Sequence, residues 1–287
     1  MIKHHEDTEL FQEAVNLTAA ETTFSPRLIE KDYFCTVLLE HLASVTGGEL
    51  VFKGGTCLAK VHAEFYRLSE DLDFVIPMDV DASRSERRKR MDELKKAIVK
   101  LPRVLPCFRV VEPLRGANDS AQYNGTVGYA SVLGQQEDTI KIEISLREPL
   151  LTQTMTGEAR TILLDPVSGM PLVPAVPLAC ISKTEAMAEK FRAALTRRKA
   201  AIRDFYDIDY AVRKHEVRTE DADLIALVRQ KLAVPGNDSI NIGPDCLTEL
   251  RGQLDTRLKP VLRERDFIEF DLERAYKMVV EVAKAVA

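Results

Sequence analysis

The stretch Ser69-Glu70-Asp71-Leu72-Asp73-Phe74 carries two carboxylates two residues apart. In an extended chain such residues share a side, so Asp71 and Asp73 present together while Leu72 and Phe74 turn the other way. Like charges that close repel unless a cation joins them. Hard oxygen ligands suit Mg²⁺ or Mn²⁺, ions that keep waters and take substrate phosphates as further ligands. The same pattern also fits a strand whose acidic side merely faces water. Upstream, Gly54-Gly55-Thr56 sits where an apolar run gives way to a helical one, a place where backbone N–H groups and a positive helix end cradle phosphate. It matches neither GxxxxGK[ST] nor GxGxxG, and taken alone it reads as a tight turn. A third carboxylate is offered by Ile140-Lys141-Ile142-Glu143-Ile144-Ser145-Leu146-Arg147, whose strict period of two puts Glu143 in the middle of a polar face. A half-solvated antiparallel strand accounts for that segment equally well.

A second constellation follows: Glu185-Ala-Met-Ala-Glu189-Lys190, then Arg203-Asp204-Phe205-Tyr206-Asp207. Arg203 and Asp207 are four apart and Asp204 and Asp207 three apart, so they share a helical face, with Arg203 placed to hold Asp207. Lys190 and Asp207 would lie about 25 Å apart on one straight helix. Acting in one site requires a bend near Thr196 to Lys199; otherwise these are surface ion pairs worth about 0 to 1 kcal/mol.

The elements that must position these groups follow from periodicity. Leu10, Ala14 and Leu17, then Leu28, Ile29, Tyr33, Val37, Leu38 and His41, recur at helical spacing until Gly47-Gly48. Residues 51 to 76 read as strand, glycine turn, a helix carrying Leu58, Val61 and Phe65 inward, and a strand closed by Pro77. Ser83 to Leu101 is a charged amphipathic helix; Thr126 to Leu133, Thr139 to Arg147 and Thr161 to Leu164 read as strands. Pro166 to Ser182 has no charge but four prolines and reads as a linker. Leu178 to Lys214, Asp221 to Leu232, Leu247 to Leu254 and Leu272 to Val286 are helical in period. The fold class is therefore α+β, with a mixed first half at residues 1–175 and a mostly helical second half at 176–287.

At 287 residues, 45% hydrophobic and 30% charged, the chain is long enough to bury a core without disulfide or metal, and it excludes collagen-like and wholly disordered classes. No stretch suits a membrane span, and the amino terminus lacks a secretory pattern, so a cytoplasmic location with no membrane partner is expected. Five cysteines at long separations, with no CxxC pair, predict thiols and no structural zinc. Net charge is −5, yet Arg84 to Arg103 holds nine basic residues against three acidic ones, and Lys190 to Arg203 six and none. Such patches engage phosphates, or are simply solvated helix faces.

These residues together resemble the AbiEii/AbiGii-type nucleotidyltransferase toxins, including the MenT-like toxins, of type IV toxin–antitoxin systems. Phe52-Lys53-Gly54-Gly55-Thr56 with Arg67-Leu68-Ser69-Glu70-Asp71-Leu72-Asp73 is similar to the family's first motif, and Lys141-Ile142-Glu143 to its third-carboxylate strand. Glu189-Lys190 and Arg203-Asp204-Phe205-Tyr206-Asp207 resemble later motifs, and Glu30-Lys31-Asp32-Tyr33 the helix that precedes them. The resemblance runs from about residue 28 to 212 and departs at Cys57, where a serine is common.

The resemblance implies a nucleotidyltransferase fold: a small mixed sheet flanked by helices, then a helical domain that contributes to the active-site cleft. It implies an NTP substrate with Mg²⁺ or Mn²⁺, transfer of NMP to an acceptor hydroxyl with release of pyrophosphate, tRNA or another RNA as acceptor, and a cognate antitoxin. On this reading Asp71 and Asp73 hold the metal and Glu143 serves the attacking hydroxyl. Lys53, Gly54, Gly55, Thr56, Ser69, Lys190 and Arg203 bind the nucleotide, and Lys190 and Asp207 join the catalytic set. Two other readings share these features: a nucleotidyltransferase for small molecules of the aminoglycoside kind, and a nucleotide- or RNA-binding protein without turnover.

Overall fold

The computed structural model describes every residue except Phe65 and Gln135, so the inward position expected of Phe65 lies outside the described residues. The chain divides into two compact units, Met1–Ile181 and Ser182–Ala287.

In the first unit, α1 (Thr8–Thr22) starts at Asp7, whose carboxylate accepts the Leu10 N–H. Helix α2 (Pro26–Thr46) starts at Ser25, which accepts from Leu28, with Pro26 in the first turn where a missing N–H costs nothing. Gly47, at φ +57°, ends it in the left-handed conformation. Then follow β1 (Val51–Lys53), the short α3 (Gly54–Cys57) continued by a wider π turn (Leu58–His62), and β2 (Asp71–Val75). Two basic helices come next, α4 (Arg84–Arg90) and α5 (Asp92–Val104), and then strands β3 (Phe108–Ala117), β4 (Gln122–Ala130), β5 (Glu137–Ser145), β6 (Met155–Ala159) and β7 (Val176–Cys180).

The seven strands form one mixed sheet in the order β3-β4-β5-β2-β1-β7-β6. Its central pair, β2 with β5, is parallel, and β1 joins β2 antiparallel and β7 parallel. Phe52, Leu72, Phe74, Ile140, Ile142 and Ile144 alternate onto one buried face. Helix α2 is buried along most of its length, and its Phe34 ring stacks on Tyr129 of β4 at 4.1 Å between centroids. Burying these rings together with the Leu, Ile and Val side chains of the core stabilises the unit.

The second unit is helical: α6 (Lys183–Thr196), α7 (Ile202–Lys214), α8 (Ala222–Ala233), α9 (Pro244–Arg251), α10 (Glu264–Glu269) and α11 (Leu272–Val286). Helix α11 packs on α6, α7 and α8 around Phe191, Leu195, Phe205, Ile208, Val228 and Val279. Buried Asp209 is satisfied from two helices, by Arg213 at 2.8 Å and Arg274 at 2.6 Å. That arrangement lets a carboxylate leave water without remaining an uncompensated charge.

The mixed α/β class and the helical second half agree with the sequence reading, with local differences. Residues 178–214 do not form one helix: β7 occupies their start, and α6 and α7 are separated at 197–201, where Arg197 turns extended. The uncharged stretch 166–182 is not purely a linker, because Val176–Cys180 pairs with both β1 and β6, and the first unit therefore ends at Ile181 rather than at residue 175. No strand covers 161–164 beyond a single bridge from Leu164 to Pro171, while β3 and β6 arise where none was expected. The basic helix is interrupted at Met91, which is fully buried.

Candidate active site

The parallel β2–β5 register sets Asp71 opposite Lys141 and Asp73 opposite Glu143, while β1 sets Lys53 opposite Asp73. Because Leu72, Phe74, Ile142 and Ile144 fill the buried face, Lys53, Asp71, Asp73 and Glu143 share the other. Asp71 and Asp73 are half-buried and Glu143 is exposed. On β4, Asn124 stands opposite Glu143, extending the polar face by one strand.

The glycine turn is fitted against this face. Gly54 has φ +75°, a conformation that disfavours any side chain, and a Cβ there would collide with the Asp73 carboxylate. A Cβ on Gly55 would run into the Arg67 guanidinium and lie 3.3 Å from Ser69 Oγ. Bare backbone, a carboxylate, a guanidinium and a hydroxyl therefore meet at one turn. Thr56, buried, donates its hydroxyl proton to the Asp71 carbonyl, so its side chain fastens the turn to β2. Arg67, only 2% exposed, was not singled out by sequence reasoning; its place in the Arg67-Leu68-Ser69 run, ahead of the carboxylates, was the available signal.

The segment Glu30–Tyr33 positions this apparatus without joining it. Lys31 bridges Glu70, one residue before β2, at 3.0 Å and Asp138 on β5 at 3.4 Å, and Arg27 reinforces both contacts. Glu30 accepts from Ser131 Oγ at 2.7 Å and from the Val132 N–H at 2.6 Å. Asp32 pairs with buried Lys60 at 2.6 Å, and Lys60 also donates to Thr36 Oγ1 and the Arg160 carbonyl. These are tie-points from α2 to the strands and to the turn after Gly54.

In the second unit, the break between α6 and α7 brings Lys190 Nζ to 2.9 Å from Asp204 and 2.8 Å from Asp207. Both carboxylates are almost fully buried, and the lysine is 12% exposed. The cation beside Asp207 is thus Lys190, not Arg203 as the four-residue spacing suggested; Arg197 adds a contact to Asp204 at 3.2 Å. Glu185 and Glu189 turn to Lys231 of α8 at 2.7 and 3.3 Å, which makes them a packed ion cluster.

One further group lies in the first unit. Cys57, His62 and Cys180 place their ligand atoms within 4.8 Å of one another, because β7 returns beside β1. The Cys180 thiol is held well below its ordinary range, at about 5, by the hydrogen bond from Cys57 and by His62, against the burial that raises it. No signal local in sequence could have found this group. None of the five cysteines is in a disulfide.

The sequence model of the family described as nucleotidyl transferase AbiEii toxin of type IV toxin–antitoxin systems matches residues 37–279. No curated protein matches. Among solved structures, JHP933 from Helicobacter pylori is similar in fold at TM-score 0.53 and 17% identity, covering 92% of this chain and 93% of that one. MenT4, a nucleotidyltransferase toxin from Mycobacterium tuberculosis H37Rv, aligns at TM-score 0.49 and 17% identity over 95% and 97%. The family match makes the chain a nucleotidyltransferase by class. The chain belongs to the AbiEii nucleotidyl transferase toxin family, and membership implies an NTP substrate, a divalent metal and an antitoxin partner. Among the described residues no helix is long and apolar enough to cross a membrane.

Proposed function

We propose that the protein transfers NMP from an NTP to a hydroxyl at the 3′ end of an RNA, tRNA being the acceptor, and thereby blocks translation and growth in the cytoplasm. The observation that supports it most is the register of Asp73 with Glu143 and Lys53, with Gly54 packed on the Asp73 carboxylate. The oxygen donors Asp71 and Asp73 suit Mg²⁺ or Mn²⁺, which when bound would neutralise phosphate charge and polarise the α-phosphorus.

The chain's own residues supply the rest. Backbone N–H groups of Gly55 and Thr56, with Ser69 and Lys53, hold the triphosphate in a turn that no Cβ obstructs. Glu143, exposed on its strand, accepts the hydrogen bond of the acceptor hydroxyl and takes its proton as oxygen attacks the α-phosphorus. The bond to the β-phosphate oxygen breaks in line, and pyrophosphate leaves. Lys190 is proposed to contribute its ammonium to the phosphates, Asp207 to orient Lys190, and Arg203 to add charge for the nucleotide. A tRNA whose terminal hydroxyl is capped cannot accept an amino acid.

An RNA acceptor is supported by α4 and α5. Arg84, Arg88 and Lys89 are exposed, line one cleft with Ser85 and Asp92, and make no ion pair among the described residues, whereas Arg90 is engaged with Glu49 at 3.0 Å. The test is incubation with each α-labelled NTP, Mg²⁺ and total RNA or cell extract. Label in tRNA bears the proposal out. Label in a small molecule moves the acceptor to that class, and no label in any fraction sinks it.

A further inference from the structure

Cys57 stands two residues after Gly55, Cys180 ends β7 beside β1, and His62 closes the π turn that continues from the glycine turn. Both sulfurs are fully buried and the histidine is partly so. The ring is already oriented: a carbonyl can only accept, so the 3.0 Å contact between His62 Nε2 and the Ile181 oxygen makes Nε2 the donor. Metal-bound histidines are held in this way, with the second ring N–H given to a carbonyl or carboxylate. Space has been cleared around Cys180 as well. Residue 157 is glycine on the neighbouring strand, and a Cβ there would sit 2.6 Å from Cys180 Sγ and 2.6 Å from a Val61 methyl. The Cys180 sulfur also receives hydrogen bonds from Cys57 and the Gly157 backbone.

We propose that Cys57, His62 and Cys180 form a binding site for one thiophilic d¹⁰ ion, Zn²⁺ or Cu⁺, distinct from the carboxylate face. Two sulfurs and one nitrogen form a soft donor set that selects such ions over Mg²⁺. With Zn–S near 2.3 Å and Zn–N near 2.0 Å, ligand atoms end about 3.5 to 4 Å apart. The present spread, within 4.8 Å, is at most about 1 Å wider than that. The ion binds thiolates, so any proton still carried by either sulfur leaves to solvent on binding and affinity falls with acid. The bound ion would tie the segment that begins at Gly54 to β7, fixing the turn that receives phosphate; this consequence rests on the nucleotide reading, whereas the site does not.

The test uses the full chain, reduced and freed of metal, with no nucleotide present. Titration with Co²⁺ in the absence of oxygen should give thiolate-to-cobalt charge-transfer bands that saturate at one equivalent and are displaced by Zn²⁺. Oxygen-only ligation at Asp71 and Asp73 gives no such bands. Competition against a chromophoric Cu⁺ chelator shows which ion is held more tightly. Cys57→Ser/Cys180→Ser should abolish the bands, and His62→Gln, which removes the less buried ligand, should weaken binding by about tenfold or more. The proposal is overturned by the absence of charge-transfer bands at excess Co²⁺, by equal binding in the double variant, or by peroxide converting the two thiols to a disulfide in a chain that takes up neither ion. A separate titration with NTP and Mg²⁺, with and without Zn²⁺, reads the coupling. If metal binds and NTP affinity stays level, the link to the turn fails while the site stands.

Discussion

The two units handle carboxylates in opposite ways. On the sheet, Asp71 and Asp73 stay half in water and Glu143 is exposed, aligned across neighbouring strands. In the helical unit, Asp204, Asp207, Asp209 and Glu185 are buried, each with a Lys or Arg within 3.0 Å. A buried carboxylate depends on the cation that the fold sets against it, whereas carboxylates on a half-solvated face can exchange what they contact for a metal and substrate. A dense set of acidic residues marks a candidate site only where their carboxylates stay open to solvent.

The largest effect is expected of Asp73→Asn. Transfer should fall by about a thousandfold or more with the melting temperature nearly unchanged, since the amide fills the same volume on a half-solvated face. Label incorporation and a thermal melt on the same sample check it, and retained turnover ends the carboxylate assignment. The opposite behaviour is expected of Lys231→Ala, which leaves Glu185 buried without its cation. Stability should drop by about 3 to 5 kcal/mol in urea unfolding, with activity per folded molecule preserved.

Lys190 lies between these cases, since its ammonium is both nearly buried and proposed for catalysis. Lys190→Ala and Asp207→Ala should lower transfer roughly a hundredfold per folded molecule, beyond any loss of stability. If the whole defect follows the folded fraction, Lys190 belongs with Lys231 as packing. The smallest effect concerns the acceptor. Reversing Arg84, Arg88 and Lys89 to Glu should weaken tRNA binding and flatten its dependence on salt, by about 0.7 to 0.9 in slope for each phosphate contact removed, with NTP binding unchanged.

How much of this was legible in the chain depends on how local each signal is. The carboxylate strand and the β5 alternation were readable because one face is packed and the other wet, which imprints a period of two. Strand β3 was not, since most of its residues are exposed on both faces and Arg109, Glu112, Pro113 and Arg115 erase any alternation. Strand β7 hid in a proline-rich stretch: Pro177 faces solvent, while Val176, Leu178 and Cys180 do the packing. The Gly54–Gly55–Thr56 turn was visible as a motif, but its fit against Asp73, Arg67 and Ser69 depends on how three segments meet. A bend near Thr196 to Lys199 was what Lys190 and Asp207 would need to act together, and only the fold shows the break between α6 and α7 and Lys190 in place of Arg203 as Asp207's partner. Nothing in the linear order brings Cys57 to Cys180.

The parallel pairing of β2 with β5 also bears on when the enzyme becomes dangerous to the cell that makes it. Antiparallel neighbours can zip from a hairpin, but parallel ones must wait for a long intervening segment, here α4 through β4, to be made and folded back. Asp71 and Asp73 leave the ribosome long before Glu143, and β7, which seals β1, later still. A chain in the course of synthesis therefore carries the turn and two carboxylates but no assembled centre. On the proposed site, transfer waits for the sheet to close, which leaves the length of a translation event for a partner to be made ready.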